Sequence, residues 1–196
     1  MRLFVAVEIP EDVRRSLAAW VARLRNSAGG SRALRPGGLR WTRIEGLHLT
    51  LKFIGEPTDD RLAQIRAALA AIHRGSAIDL TFRGTGFFPN EKQPRVFWAG
   101  IESGPELQSL VESVERQLVP LGFPREARAF QPHLTLARFS SAEGLDQLRE
   151  QLAAAAPAEF GASRAREFHL YQSVLRPDGA VHTRVASFDF AGDGSR

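Results

Sequence analysis

Two tetrapeptides carry the side chains of this 196-residue sequence best suited to chemistry: His48-Leu49-Thr50-Leu51 and His133-Leu134-Thr135-Leu136. On a strand, side chains alternate between faces. His48 and Thr50 then share one face, about 6.5–7 Å apart along the chain, while Leu49, Leu51 and Phe53 point the other way, the leucines into a core. A histidine has an ordinary pKa near 6.5, so both of its forms exist near neutrality. Two such imidazoles on opposite sides of a phosphorus suit an in-line displacement, in which one takes the proton of the attacking hydroxyl or water and the other protonates the departing oxygen. The threonine hydroxyls can hydrogen-bond the non-bridging phosphate oxygens, where charge shifts as the bond breaks. Neither role needs a metal, and two converging histidines lack the third ligand of a catalytic zinc. The symmetry of the quartet leaves open which imidazole is acid and which is base.

One His-x-Thr segment would read as two ordinary strand residues. The pair gains weight from its placement, because the chain reads as one unit written twice. The first unit opens with Arg2-Leu3-Phe4-Val5-Ala6, an alternating strand. A helix follows with Val13, Leu17, Trp20 or Val21, and Leu24 inward, started by Pro10-Glu11-Asp12. An Arg/Gly-rich loop from Asn26 to Gly46 leads to a strand at Leu47 to Ile54. A helix introduced by Thr58-Asp59-Asp60, with Leu62, Ile65, Leu69 and Ile72 inward, precedes a strand from Ile78 to Phe87.

The second unit opens with Arg95-Val96-Phe97-Trp98-Ala99. Its helix starts at Ser103-Gly104-Pro105-Glu106, the spacing of a capping box. A loop from Gly122 to Gln131, a strand from His133 to Phe139 and a helix holding Leu145, Leu148 and Leu152 follow. Two last strands, near Arg166 to Leu175 and Val181 to Phe190, flank the turn Arg176-Pro177-Asp178-Gly179, and the tail from Ala191 is expected to be loose. The expected fold is therefore α+β: a single bilobal domain over 1–196 with lobe-forming repeats at roughly 1–88 and 94–190. Two pseudo-symmetric sheets of antiparallel type would surround a central cleft, with helices outside.

Composition sets the outer limits. A hydrophobic content of 43% is enough to build such a core, and no apolar run approaches the roughly 20 residues that cross a bilayer. The opening residues run into an alternating strand and not a signal-peptide apolar region, which makes a cytoplasmic location the expectation. With no cysteine, disulfides, thiolate metal sites and a cysteine nucleophile are excluded. Of the 26 basic residues only Lys52 and Lys92 are lysines; the rest are arginines, whose planar forks suit phosphate. The net charge of +4 permits a polyanionic partner without demanding one.

At these same residues the chain resembles the two-histidine phosphoesterases, and among them the bacterial and archaeal RNA 2′,3′-cyclic phosphodiesterases, also called 2′-5′ RNA ligases. The resemblance runs over nearly the whole chain. It takes in Arg2 to Ala6, Arg40-Trp41, Leu47 to Gly55, Pro94 to Gly100, Pro132 to Arg138 and Leu170-Tyr171-Gln172-Ser173. His182 departs from it, standing where many relatives have tyrosine. The resemblance implies hydrolysis of a terminal 2′,3′-cyclic phosphate to a 2′-phosphate, with reversible, ATP-independent 2′-5′ joining, no cofactor and no metal. By motif position it makes His48 the proton donor to O3′ and His133 the base that activates water. The partner expected is an RNA or oligonucleotide ending in the cyclic phosphate, with no membrane and no obligate protein partner, the enzyme acting as a monomer.

Further residues have a functional and a structural reading. Arg138 can pair with the phosphate, although strict alternation turns it away from His133. Phe4 and Trp41 are base-stacking candidates that core packing explains as well, with Arg40 and Arg43 beside Trp41 for backbone phosphates. His73 in a last helical turn needs no function, and His169 and His182 read as structural or cleft-rim residues. Two other functions compete: a phosphodiesterase acting on small cyclic nucleotides or an ADP-ribose cyclic phosphate, and a nucleotide- or RNA-binding module without turnover. The basic loop Arg32 to Arg43 leans toward a polymer. Binding alone would need no acid–base pair.

Overall fold

The computed structural model describes residues 2–26, 38–58, 60–72, 75–176 and 179–190. Most of the Arg/Gly-rich loop, His73, the Pro177-Asp178 turn and the tail lie outside them. The first half holds β1 (Arg2–Glu8), α1 (Glu11–Asn26), β2 (Leu39–Trp41), a 3₁₀ turn (Ile44–Gly46), β3 (His48–Gly55), α2 (Arg61–Ala70) and β4 (Ile78–Phe88). The second holds β5 (Val96–Ser103), α3 (Pro105–Leu118), β6 (His133–Phe139), α4 (Leu145–Ala154), β7 (Glu159–Ala165), β8 (Glu167–Arg176) and β9 (Gly179–Asp189).

The helices form where the apolar period is helical. In α1, Val13, Leu17, Trp20, Val21 and Leu24 are all buried, with Glu11 and Asp12 at the positive end of the dipole and Arg23 and Arg25 at the negative end. Helix α3 starts on Pro105 behind Gly104 and has no side-chain cap, so the capping box expected at Ser103 does not form; Ser103 ends β5 instead. Among the described residues no helix is long and apolar enough to cross a membrane.

Two antiparallel sheets result, ordered β3-β1-β8-β9 and β2-β6-β5-β4-β7. This order corrects the expectation that residues 1–88 and 94–190 each build one lobe. Strand β4 of the first half pairs with β5, whereas β8 and β9 of the second half join β1 and β3. The halves thus exchange strands. Strands β2 and β7 were not expected. The first is three residues long, and the second has only Phe160 buried, so neither offers a periodic signal.

The repeated openings are also one residue out of step. Pairing sets Ala6 opposite Thr50 but Trp98, not Ala99, opposite Thr135. Each motif strand carries one extra residue just past its threonine. Val5 and Ala6 pair with Lys52 and Thr50, skipping Leu51; Phe97 and Trp98 pair with Ala137 and Thr135, skipping Leu136. These are β-bulges, which reset the alternation. Two consecutive residues are buried in each strand, Leu51-Lys52 and Leu136-Ala137, and the next, Phe53 or Arg138, returns to the His/Thr face.

The reset drives a lysine into the interior. Lys52 and Glu115 of α3 are 3% and 7% exposed, with Nζ 3.0 and 3.1 Å from the two carboxylate oxygens and 2.6 Å from the Pro124 carbonyl. The pair ties β3 to the second half of the chain and to the loop leading to His133. Removing one partner strands the other charge in the core. Lys52→Ala should lower stability to chemical denaturation by about 3–5 kcal/mol, and the apolar pair Lys52→Met with Glu115→Leu should recover most of it. A single variant as stable as the wild type would contradict the assignment.

Candidate active site

Leu49, Leu51, Leu134 and Leu136 are buried, so His48, Thr50, His133 and Thr135 stand on the face turned away from the core. The four side chains occupy matching positions on two strands. Strands β3 and β6 contact one another, and the chain itself bridges the two sheets at this point. Trp41 pairs with Ala137 of β6, the Thr42 amide donates to the Leu136 carbonyl at 2.8 Å, and six residues later the chain has entered β3 at His48.

Each imidazole is held in the same way. His48 Nδ1 donates to the carbonyl of Gly46 at 2.8 Å, and His133 Nδ1 donates to the carbonyl of Gln131 at 2.7 Å. A carbonyl only accepts, so the proton sits on Nδ1, and Nε2 is bare in the neutral ring. Neutral, either ring is a base at Nε2; protonated, either is an acid at the same atom.

The surroundings differ. Phe4 stacks on His48 at 4.5 Å between centroids, 27° from parallel, and His182 of β9 meets it edge-on at 5.0 Å and 87°. Tyr171 of β8 continues the stack behind Phe4 at 5.3 Å. Burial is the main cause that brings the His48 pKa down to about 4; its bond to Gly46 opposes, and the positive charges of His182 and Arg14 add to the fall. His133 has Phe88 at its edge, 4.9 Å away, with Trp98 against Phe88 at 5.2 Å. Its pKa is also lowered, again first by burial, then by the nearby charge of Arg138, with the Gln131 bond opposing.

The structure settles how the other sequence candidates sit. Arg138 shares the His133/Thr135 face because of the bulge, which corrects the orientation inferred from strict alternation. Phe4 is 3% exposed and stacks on His48, so it has no free face for a base. Trp41 points its ring at Phe97, edge to face at 6.1 Å, and is a hydrophobic anchor. His169 is buried with Nδ1 3.0 Å from Ser187 Oγ, a structural position.

Sequence reasoning missed Phe88, Trp98 and Tyr171, and strict alternation turned Phe53 to the side of Leu49 and Leu51, which the bulge corrects. Phe53 is 61% exposed beside Phe4 and occupies in β3 the place that Arg138 holds in β6. Matched residue for residue with Arg2 to Ala6, Trp98 falls at the place of buried Val5, whereas the pairing sets it opposite Thr135. Gly86 accommodates it: a Cβ there would come within 2.3 Å of the indole.

The 2′-5′ RNA ligase superfamily model matches residues 13–174. The RNA 2′,3′-cyclic phosphodiesterase of Archaeoglobus fulgidus is 34% identical over 191 residues, covering 96% of this chain and all of its own. That of Thermotoga maritima is 30% identical over 194 residues, covering 98% and 97%. Among solved structures, a protein of Thermus thermophilus superposes with a TM-score of 0.76 at 30% identity, over 98% of this chain and 100% of that one. Escherichia coli LigT complexed with 3′-AMP gives 0.76 at 25% identity, over 96% and 97%.

Titration followed by nuclear magnetic resonance should place the His48 midpoint near pH 4 and that of His133 below 6.5. Unfolded imidazoles take up protons that the folded ones refuse. Stability is therefore full above pH 6.5 and falls as the pH drops from there toward 4. A His48 midpoint at or above 6.5 would contradict this geometry.

Proposed function

The chain belongs to the 2′-5′ RNA ligase superfamily, and we propose that it hydrolyses the 2′,3′-cyclic phosphate at the end of an RNA to a 2′-phosphate, using His48 and His133 as its acid–base pair. The observation that carries this reading is the duplicated hold on the two rings: each has Nδ1 tied to a carbonyl and Nε2 bare, on the side of its strand turned from the core and next to a threonine, and the two strands touch.

The chemistry follows from those positions. His133 Nε2 takes a proton from water as its oxygen attacks phosphorus. The P–O3′ bond breaks on the opposite side, and protonated His48 gives its Nε2 proton to O3′. The products are a 2′-phosphate and a free 3′-hydroxyl. Thr50, Thr135 and Arg138 bind the non-bridging oxygens, Arg138 through charge-assisted bonds that strengthen as negative charge builds. A 5′-hydroxyl in place of water gives a 2′-5′ linkage by the same step, and the step runs backward with the two histidines exchanging roles.

The unequal halves favour this direction. Exposed Phe53 lies on the His48 side, where the nucleoside that carries O3′ would sit and its base could stack; cationic Arg138 lies on the water side. A donor must hold a proton, yet His48 alone loses its proton near pH 4. The bound phosphate monoanion, placed against the ring, raises that value in the complex. The reading includes a cytoplasmic location and a monomer with no obligate protein partner.

With an oligonucleotide ending in a 2′,3′-cyclic phosphate, turnover should survive EDTA and fall by about 10²–10⁴ in His48→Ala and in His133→Ala. Undiminished activity in both variants would remove the proposal. A cyclic mononucleotide tested alongside separates a polymer substrate from a small one. The kcat/KM profile should be bell-shaped with both limbs below pH 6.5, and the alkaline limb of kcat should lie at higher pH. Coincident alkaline limbs would mean that substrate does not charge His48.

A further inference from the structure

We propose that Arg14, in the first turn of α1, is a positioning residue for His48, holding the turn whose carbonyl fixes the catalytic ring. The inference rests on the catalytic reading of His48. The turn it concerns is slight. Residues 44–46 make a single 3₁₀ turn, closed by Gly46 N–H to the Arg43 carbonyl at 3.1 Å and Leu47 N–H to the Ile44 carbonyl at 3.1 Å, and none of its residues is buried. Of its three residues Ile44 packs, partly buried, against the core, and that contact lies two residues before the Gly46 carbonyl.

Arg14 supplies a hold on the backbone carbonyls themselves. Its side chain is 15% exposed, whereas its neighbour Arg15 faces solvent. Nε donates to the Ile9 carbonyl at 3.1 Å, at the junction of β1 and α1. Nη1 donates to the Glu45 carbonyl and, more weakly at 3.5 Å, to that of Ile44. Nη2 reaches Glu8 Oε1 at 3.4 Å, and Glu8 is the residue paired directly across from His48. Adjacent carbonyls of one turn thus receive the guanidinium and the imidazole: Glu45 takes Arg14, and Gly46 takes His48. The planar fork is what lets one side chain grip the β1 end, the turn and Glu8 together, and an ammonium could satisfy only part of that set.

The other half-site is held differently. The loop before His133 is anchored by Lys52 at Pro124 and by Glu115, whose Oε1 accepts the Glu126 amide at 3.3 Å. Loss of Arg14 should therefore act on one imidazole and spare the other. His133 becomes an internal control within the same molecule.

The test is Arg14→Met and Arg14→Lys in the full chain, read in two ways. At pH 7.5, ¹⁵N spectra of the histidine rings should show His48 losing its uniform Nδ1–H tautomer in Arg14→Met and keeping it partly in Arg14→Lys, with His133 unchanged. Steady-state kinetics on the cyclic-phosphate oligonucleotide should show kcat lower by about 10- to 100-fold, with KM within about twofold, since displacement of a catalytic group by an ångström costs on this order. An unchanged His48 tautomer overturns the proposal, as does equal disturbance of both rings or a loss carried wholly by KM. The tautomer reading needs no turnover, so it stands or falls separately from the assignment of the reaction.

Discussion

One inserted residue in each motif strand governs what the molecule can present to a substrate. Were β3 and β6 evenly pleated, Lys52 would stand on the open face and Phe53 and Arg138 would be driven into the core. Leu51 and Leu136 prevent this by sharing the inward side with the residue that follows each of them. The same irregularity explains a buried lysine and a cation beside His133, two features with no evident link in the sequence. A bulge sharpens local twist and re-aims side chains, which is the need of a site assembled from two sheets.

Against that shared framework the two half-sites diverge. A ring stacked on Phe4 and edged by His182 is drier than one touched by Phe88, and drying disfavours the charged imidazole. Two rings alike in tautomer are thus unlike in proton affinity before any ligand arrives. Groups that must differ in protonation during one step gain from environments that already separate them. The duplication supplies matching geometry, and the amino acids that break the match supply direction.

Much of this was legible in the sequence, for stated reasons. Leucines at 49, 51, 134 and 136 decide which way the histidines and threonines face, because burial of large apolar groups overrides weaker preferences. Helical period located the four α-helices of the described residues. Strand neighbours were not legible, since alternation identifies a strand without naming its partner, and so the exchange of β4 and β8 was invisible. The bulges were hidden because Lys52 and Ala137 look like ordinary positions in a pleat. The match between Arg2-Leu3-Phe4-Val5-Ala6 and Arg95-Val96-Phe97-Trp98-Ala99 was real as text but offset by one in space, and that offset concealed Trp98. Arg14 acts across some thirty residues through backbone carbonyls, which carry no sequence signature at all.

The exchange of strands also dictates an order of completion during synthesis. β4 meets β5 soon after both are made, so the five-stranded sheet can begin near the middle of translation. The other sheet waits. The β1–β3 pair exists by Gly55, but the second edge of β1 stays open until β8 emerges from Glu167 onward. At about 5–20 residues per second, that leaves an unpaired apolar edge for on the order of ten seconds. Bare edges of this kind recruit other chains, so a ribosome stalled before Glu167 would release a product prone to clump, although both of its histidine motifs are already written.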